Sequence, residues 1–536
     1  MTVDNDYIPL ATSPSGADGF GEQKERITRR PHKKLSFPLN LLPSSIRARQ
    51  KLLLITLGVP TIALLLLIGR HLFGTRSSPP SDLEIHDNPY FYTGDVWEHN
   101  QQVADRLDRC ASLGLLRNTS LPFGQNEILD DEEEAELVSN GCGTNQTTII
   151  ILSSLWFAEA FAGTSTAGET IYAQSVISTL NYHNYSYVFA SLGWYNPDMR
   201  KTVELWHKHR DNVRMVLADP DQVGVCYNNL EQKCIKTEDN MEGIEVWRVM
   251  SFWYWDDAAN PLGEQFTLSP SPRNNNYFLS YSIEPTCRRL PSLPTSERSH
   301  PPQAYLLAKQ IKYLEDTPRF SWTLEALAKL QDDYGIKVVA GMTDDDEVIS
   351  QQVKEAGLTN LGRLNKLDFY LQLSKSFVFI GVGQPRISPS PWDALCMGVP
   401  FINPILSWDE ADPENRTSWH AQQWHMTDLE PPYVYSVKAH DLEALHQAVG
   451  QALSTPIQSF IPDYMRFDYA TGRTADLVEG DWRGKAQVIL DDRIRSGEGQ
   501  VSGNCVNDIV YVCSSNSTRI GVYNVTSVLI GCGIRN

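Results

Sequence analysis

The densest chemistry in the sequence lies in one run, Phe377-Val-Phe-Ile-Gly-Val-Gly-Gln-Pro-Arg-Ile-Ser-Pro-Ser-Pro-Trp-Asp-Ala-Leu-Cys-Met-Gly-Val-Pro-Phe-Ile-Asn-Pro404. Its residue types predict strand, Gly-rich turn, helix, turn and strand in that order. Gly381 and Gly383 let backbone approach a ligand, and Ser390 can cap a helix whose first turn contains Pro391 and Asp393. Such a helix start offers free N–H groups and partial positive charge, which suits a diphosphate. Ser390-Pro-Trp-Asp393 is also an ordinary S-x-x-D cap, with Trp392, Leu395, Cys396 and Val399 packing a core. A different chemistry is offered by Asp219-Pro-Asp221 after a predicted strand, because two carboxylates there can hold Mg²⁺ or Mn²⁺ with substrate phosphates. The same tripeptide is a turn signal. Asp344-Asp345-Asp346 repeats the D-x-D spacing, but Asp344 with Glu347 reads more simply as a helix cap. Trp253, Tyr254 and Trp255 beside Asp256 and Asp257 suit either a sugar ring or a core. The histidines, His420 and His425 included, show no ligand or triad spacing.

The elements that must position these residues alternate. Thr148-Ile149-Ile150-Ile151-Leu152 reads as a buried parallel strand. A helix over 168–180 follows, with Ala173, Val176, Ile177 and Leu180 on one face. Strands are predicted at 185–190 and 213–217. A Pro- and Asn-rich break at 269–276 reads as a linker. Beyond it the pattern predicts a strand at 277–283, a helix at 302–315, a strand at 336–340, helices at 346–356 and 367–375, a strand at 376–381 and a helix at 391–398. The expectation is an α/β chain with two doubly wound domains, and ligands of such sheets bind outside the carboxyl ends of the strands.

Leu52 to Gly69 holds no charged residue and is long enough to span a bilayer, where about 20 apolar residues are typical. Nine Lys/Arg precede it against five Asp/Glu, and 37 against 60 follow. The positive side stays cytosolic, which predicts a type II signal anchor with the bulk of the chain lumenal. Arg70-His71 after the segment does not read as a small-residue cleavage site. Asn118, Asn145, Asn184, Asn415, Asn516 and Asn524 all begin Asn-x-Ser/Thr tripeptides, and all follow the anchor. So do all nine cysteines, for which disulfides are the expectation in an oxidising lumen. The odd count leaves one over, with Cys396 as the candidate. The acidic ectodomain argues against nucleic acid as a partner. The predicted division is 1–51 cytosolic tail, 52–69 transmembrane helix, 70–145 irregular lumenal stem, 146–275 N-terminal domain, 276–500 C-terminal domain and 501–536 a cysteine-containing appendage.

Ser388-Pro-Ser-Pro-Trp-Asp393-Ala394…Phe401-Ile-Asn403-Pro404 resembles the nucleotide-sugar-binding string Gly-Pro-Ala-Pro-Leu-Glu-Ala…Phe-Leu-Asn-Pro of glycosyltransferase family 18. Gly168-Glu169, Gly263-Glu-Gln-Phe-Thr, Tyr277-Phe-Leu and Pro432-Tyr-Val-Tyr-Ser extend the resemblance in family order from about Gly168 to Thr474. It implies the two-domain GT-B architecture and inverting transfer from UDP-GlcNAc to a mannose hydroxyl of an N-glycan, with β-1,6 linkage. It further implies a Golgi membrane location, no metal requirement and no other cofactor. Donor-binding candidates are then Gly381, Gly383, Ser388, Ser390, Asp393 and Asn403. The sequence departs from the family where Ile387 replaces Glu, Ile405 replaces Lys and Asp393 replaces Glu. Glu169 matches the family's catalytic Glu, and it opens a helix outside the core face, where a carboxylate can take the acceptor's proton. Two other readings stay open: a lumenal glycan- or nucleotide-sugar-binding protein without turnover, and a metal-dependent GT-A-like transferase using Asp219 and Asp221.

Overall fold

The structure, a computed structural model, describes residues 94–496 except 122–128, 164, 192–196, 290–291, 318–319 and 345, together with 499–500 and 513–514. The predicted tail and anchor, and nearly all of the 501–536 appendage, lie outside the described residues. Among the described residues no helix is long and apolar enough to cross a membrane.

Two helices come first, α1 (Val96–Ser112) and α2 (Asp131–Ser139). They fall where the sequence predicted an irregular stem. Asp95 caps α1, and the acidic run supplies a capping box, with Asp130 accepting the N–H groups of Glu132 and Glu133. Cys110 and Cys142 form a disulfide that ties α1 to the end of α2. Val103 and Leu107 of α1 pack into the core beneath the first sheet, so this segment is part of the N-terminal domain.

That domain is built on β1 (Ile149–Leu152), α3 (Leu155–Ala162), α4 (Gly168–Tyr182), β2 (Ser186–Phe189), α5 (Arg200–His209), β3 (Val213–Ala218), α6 (Pro220–Asn228), β4 (Val249–Phe252), β5 (Thr267–Ser269) and β6 (Tyr277–Phe278). Strand order is β2-β1-β3-β4-β5-β6, and every pair is parallel. The β1 run needs no polar alternation because both faces are covered. Ile150 and Leu152 pack with Ala173, Val176, Ile177 and Leu180 of α4, while Ile149 and Ile151 pack on the opposite side with Leu205 and Trp206 of α5. Tyr277-Phe278, predicted to begin the second domain, instead pairs with β5 as the edge strand of the first sheet. The Pro/Asn-rich break is therefore a loop within one sheet. The polypeptide crosses to the second domain only after Cys287.

The C-terminal domain comprises β7 (Gln303–Leu307), α7 (Leu324–Tyr334), β8 (Lys337–Ala340), α8 (Glu347–Glu355), β9 (Thr359–Asn360), α9 (Lys366–Ser374), β10 (Val378–Gly381), α10 (Ser390–Cys396), β11 (Phe401–Ser407), β12 (His420–Ala421), β13 (Val434–Lys438) and α11 (Leu442–Ser454). Its order is β12-β11-β10-β7-β8-β9 with β13 also on β11, all parallel except β11 with β12. The predicted helix at 302–315 is β7 followed by a 3₁₀ turn over Ile311–Leu314. A short apolar run cannot be assigned by periodicity, and pairing with β8 and β10 on both sides makes this one a central strand.

The last helices, α12 (Phe467–Glu479) and α13 (Trp482–Ser496), return to the first domain. Thr474 Oγ1 lies 2.7 Å from Thr179 Oγ1 on α4, and Tyr185 Oη donates to Glu479 over 2.6 Å. Trp482 packs against Phe266 and Tyr277. The predicted single C-terminal block 276–500 is thus interrupted at both ends by first-domain structure. One hydrophobic cluster runs from Phe252 and Leu268 through Tyr281 to Tyr305, Phe379 and Phe401, joining the two sheets.

Candidate active site

Glu169 sits in the first turn of α4, half-buried. Its neighbour Gly168 is required by packing, since a Cβ there would meet the Tyr254 ring. That ring lies across the helix start, and Tyr254 Oη donates to the carbonyl of Ile387 in the C-terminal domain over 3.1 Å. Burial raises the Glu169 carboxyl above the ordinary range; its own backbone N–H and Lys309 lower it, and Glu159 raises it. Lys309 follows β7 in the other domain, so a charge from across the domain boundary acts on this carboxylate. Burial also pushes Asp219 up to about 6; the N–H of Asp221 lowers it and the charge of Glu169 raises it. Two carboxylates at the ends of neighbouring elements thus share one field.

Asp219 caps α6, accepting the Asp221 N–H over 3.2 Å, and Asp221 is exposed. The turn-and-cap reading of this tripeptide describes its geometry. In the 344–346 run the cap of α8 is Asp346 rather than Asp344, which instead accepts from Ser350 Oγ. Among the described residues no group of three or more His, Cys, Asp or Glu could hold a metal.

The run from β10 to β11 forms the predicted strand–turn–helix–turn–strand, but its polar groups turn inward. A Cβ on Gly381 would run into Gln422 Oε1 and Pro404, and Gly383, at φ +98°, donates its N–H to the same Gln422 oxygen over 2.8 Å. Gly381 makes room for Gln422 and Gly383 supplies it with a backbone donor, where the sequence reading had both admit a ligand. Pro389 holds the cap position of α10, so Ser390 is its first helical residue and not the cap; its N–H lies 3.3 Å from Ser388 Oγ. The Ser388 N–H donates to Gln423 Oε1, and Asn403, fully buried, exchanges two 3.0 Å bonds with the Gln423 backbone.

Asp393 is 3% exposed and accepts from Tyr370 Oη over 2.8 Å. Burial pushes its carboxyl up to about 7, against the pull of Tyr370 and Lys366. The sequence reading placed this side chain among the donor-binding candidates; α10 turns it into the domain interface, because its neighbours on the same helix face are core residues. Ile405 is buried in β11. Ile387 takes a left-handed φ of +52°, an uncommon conformation for a β-branched residue. Cys396, expected to be unpaired, is bonded to Cys287 across the domain boundary.

Sequence reasoning missed Gln422 and Gln423, the two buried amides that order the whole turn; nothing in their spacing marks them. It also gave His425 no role. His425 Nε2 lies 3.5 Å from Asp256 Oδ1 of the first domain, within ion-pair reach though without hydrogen-bond geometry. Arg386 feels the charge of the same carboxylate, and Asn274 Nδ2 donates to it over 3.2 Å. Asp256 follows β4, Asn274 follows β5 and Arg386 follows β10, so these groups meet at the carboxyl ends of strands from both sheets. That is the place where open α/β sheets carry ligands.

Residues 258–475 match the family model described as glycosyltransferase family 18. No curated protein matches. Similar solved structures include the O-GlcNAc transferase of Thermobaculum terrenum, in a mutant form, with 11% identity, 65% of this chain and 67% of that one covered, and a TM-score of 0.30. The UDP-GlcNAc 2-epimerase of Methanocaldococcus jannaschii, in complex with UDP-GlcNAc and UDP, has 10% identity, coverage of 62% and 99%, and a TM-score of 0.32. Anabaena HepE, in complex with UDP, has 10% identity, coverage of 65% and 100%, and a TM-score of 0.34.

Proposed function

Given that the chain belongs, through residues 258–475, to glycosyltransferase family 18 and is a transferase, we propose that it moves N-acetylglucosamine from UDP-GlcNAc to a mannose hydroxyl of an N-glycan, in β-1,6 linkage and with inversion. The observation that carries the reading is Glu169: a half-buried carboxylate at a helix start, within the electrostatic reach of Lys309 of the other domain, with burial raising its proton affinity. In this mechanism the acceptor oxygen attacks the anomeric carbon as the bond to UDP breaks and its electron pair leaves with the diphosphate. Glu169 takes the hydroxyl proton. A base whose pKa lies nearer the working pH is better suited to that transfer. Preorganised donors stabilise the departing UDP, and no metal is required.

The same reading makes the chain a type II Golgi membrane protein anchored by residues 52–69. Support comes from the charge asymmetry about that segment and from the acceptor tripeptides beyond it. Asn118, Asn184 and Asn415 are exposed, as glycan carriers must be, whereas Asn145 is part-buried with its amide donating to the His183 carbonyl.

One observation favours a second reading, a nucleotide-sugar- or glycan-binding protein without turnover: Ser388, Asp393 and Asn403 all spend hydrogen bonds on protein partners. The detergent-solubilised full chain, offered UDP-sugars in turn with and without a mannose-terminated N-glycan, separates the two. UDP release that depends on UDP-GlcNAc supports transfer. Binding without release from any UDP-sugar leaves the second reading standing.

A further inference from the structure

We propose that Arg386, Gln423 and His425 form the subsite for the diphosphate of the nucleotide donor, with Asp256 as the counter-anion that the diphosphate competes with. The assignment rests on the donor reading above and adds to it the residues that hold the negative charge.

The three side chains come from two loop segments of the C-terminal domain. Arg386 lies on the turn between β10 and α10, and Gln423 and His425 lie just after β12. Ser388, two residues after Arg386, fixes Gln423 by donating its N–H to Oε1 over 3.0 Å, so the two segments are locked together. Arg273 of the first domain pins the second segment from the other side. It donates to the carbonyl of Trp424 over 2.8 Å and to Thr427 Oγ1 over 2.6 Å, and it pairs with Asp428.

Within this fixed frame the nitrogen atoms Arg386 Nε, Gln423 Nε2 and His425 Nε2 are all buried without a hydrogen-bond partner. Gln423 is 1% exposed, which places an unpaired amide donor in a nearly closed setting. Buried donors without acceptors are costly; Arg386 Nε and Gln423 Nε2 are such donors, His425 Nε2 is one in the tautomer that carries its proton there, and the group calls for an acceptor-rich occupant. Among the described residues Asp256 is the carboxylate that acts on both Arg386 and His425, and Asn274 already donates to its Oδ1. A diphosphate supplies several oxygens and more than one negative charge, and a guanidinium is suited to bind it. Position agrees with chemistry, since the locus lies at the carboxyl ends of strands in both sheets.

The test is calorimetric titration of the detergent-solubilised full chain with UDP, uridine and inorganic pyrophosphate. Arg386→Gln should weaken UDP by about tenfold or more, the effect of losing a charge-assisted hydrogen bond, while uridine changes by less than about twofold. Pyrophosphate should compete with UDP on the wild type and lose that competition in Arg386→Gln. Arg386→Lys, which keeps the charge, should fall between the two, and Asp256→Asn should bind UDP more tightly than wild type. Thermal unfolding of each variant checks that it folds. Wild-type binding of UDP with equal losses for UDP and uridine in Arg386→Gln, or with none, overturns this subsite and leaves the donor reading intact. No binding of UDP to the wild type overturns both.

Discussion

Asp393 should make the folded protein less stable as pH rises through the neutral range. The carboxylate is 3% exposed at the start of α10, with one 2.8 Å bond from Tyr370 and the charge of Lys366 to offset its lost hydration. Those partners do not suffice, and burial pushes the group from its ordinary value of 3.8 up to about 7. Between those two values the folded chain holds a proton that the unfolded chain has released. Proton binding then favours the folded state, so this contribution is complete below about pH 4 and is lost as pH climbs to about 7. The step from 3.8 to about 7, at about 1.36 kcal/mol for each tenfold change in proton affinity, corresponds to ~4 kcal/mol. Asp393→Asn keeps the size and the acceptor for Tyr370 but cannot titrate. Urea unfolding of both proteins at a series of pH values measures the difference. The variant should gain on the wild type by ~4 kcal/mol between about pH 4 and pH 7.5. A difference that stays constant to within about 1 kcal/mol across that range would refute the reasoning, because it would mean that the carboxylate ionises as easily inside as in water.

Four further outcomes are expected. Glu169→Gln should lower transfer by at least ~10²-fold, the low end for loss of a general base, with the unfolding midpoint nearly unchanged; near wild-type transfer would place the base elsewhere. In the wild type the acid limb of the rate profile should lie above the ordinary carboxylate range, because burial raises Glu169 and the base must be ionised to act. Transfer should survive EDTA, whereas full loss with rescue by Mn²⁺ would move the reading to Asp219 and Asp221. Replacing Cys287 and Cys396 together by Ser removes a cross-link that spans 109 residues, and denaturant unfolding should report a loss of about 2–4 kcal/mol.

Much of the scaffold was legible because its cues are local. Ile149 to Ile151 is a β-branched run, and α4 carries its apolar face at i, i+3, i+4 and i+7, so strand and helix could be read from a few residues each. The strand–turn–helix–turn–strand around Ser390 was legible for the same reason. Residues 303–307 were not, since the short apolar run after Gln303 fits a buried strand or a buried helix, and only the flanking strands choose. The stem failed differently: α1 has an apolar stripe of Val103, Ala104, Leu107 and Cys110, but its meaning depends on the sheet that it covers.

The candidate site divides along the same line. Residue types and order sufficed to mark Glu169 as a helix-start carboxylate and 377–404 as a strand, Gly-rich turn and helix, because a first-turn position and a Gly-rich strand end are properties of neighbours in sequence. Contacts between distant segments decided the rest. Gln422 reaches back some forty residues to the turn after β10, and Cys287 reaches forward to Cys396. Trp482 closes over Tyr277 on the edge strand of the first sheet, while Tyr370 claims Asp393. Each of these is a choice of partner for a polar or bulky group that must not be buried alone. Sequence sets the need for a partner, and the packing of two sheets against each other sets which one it meets.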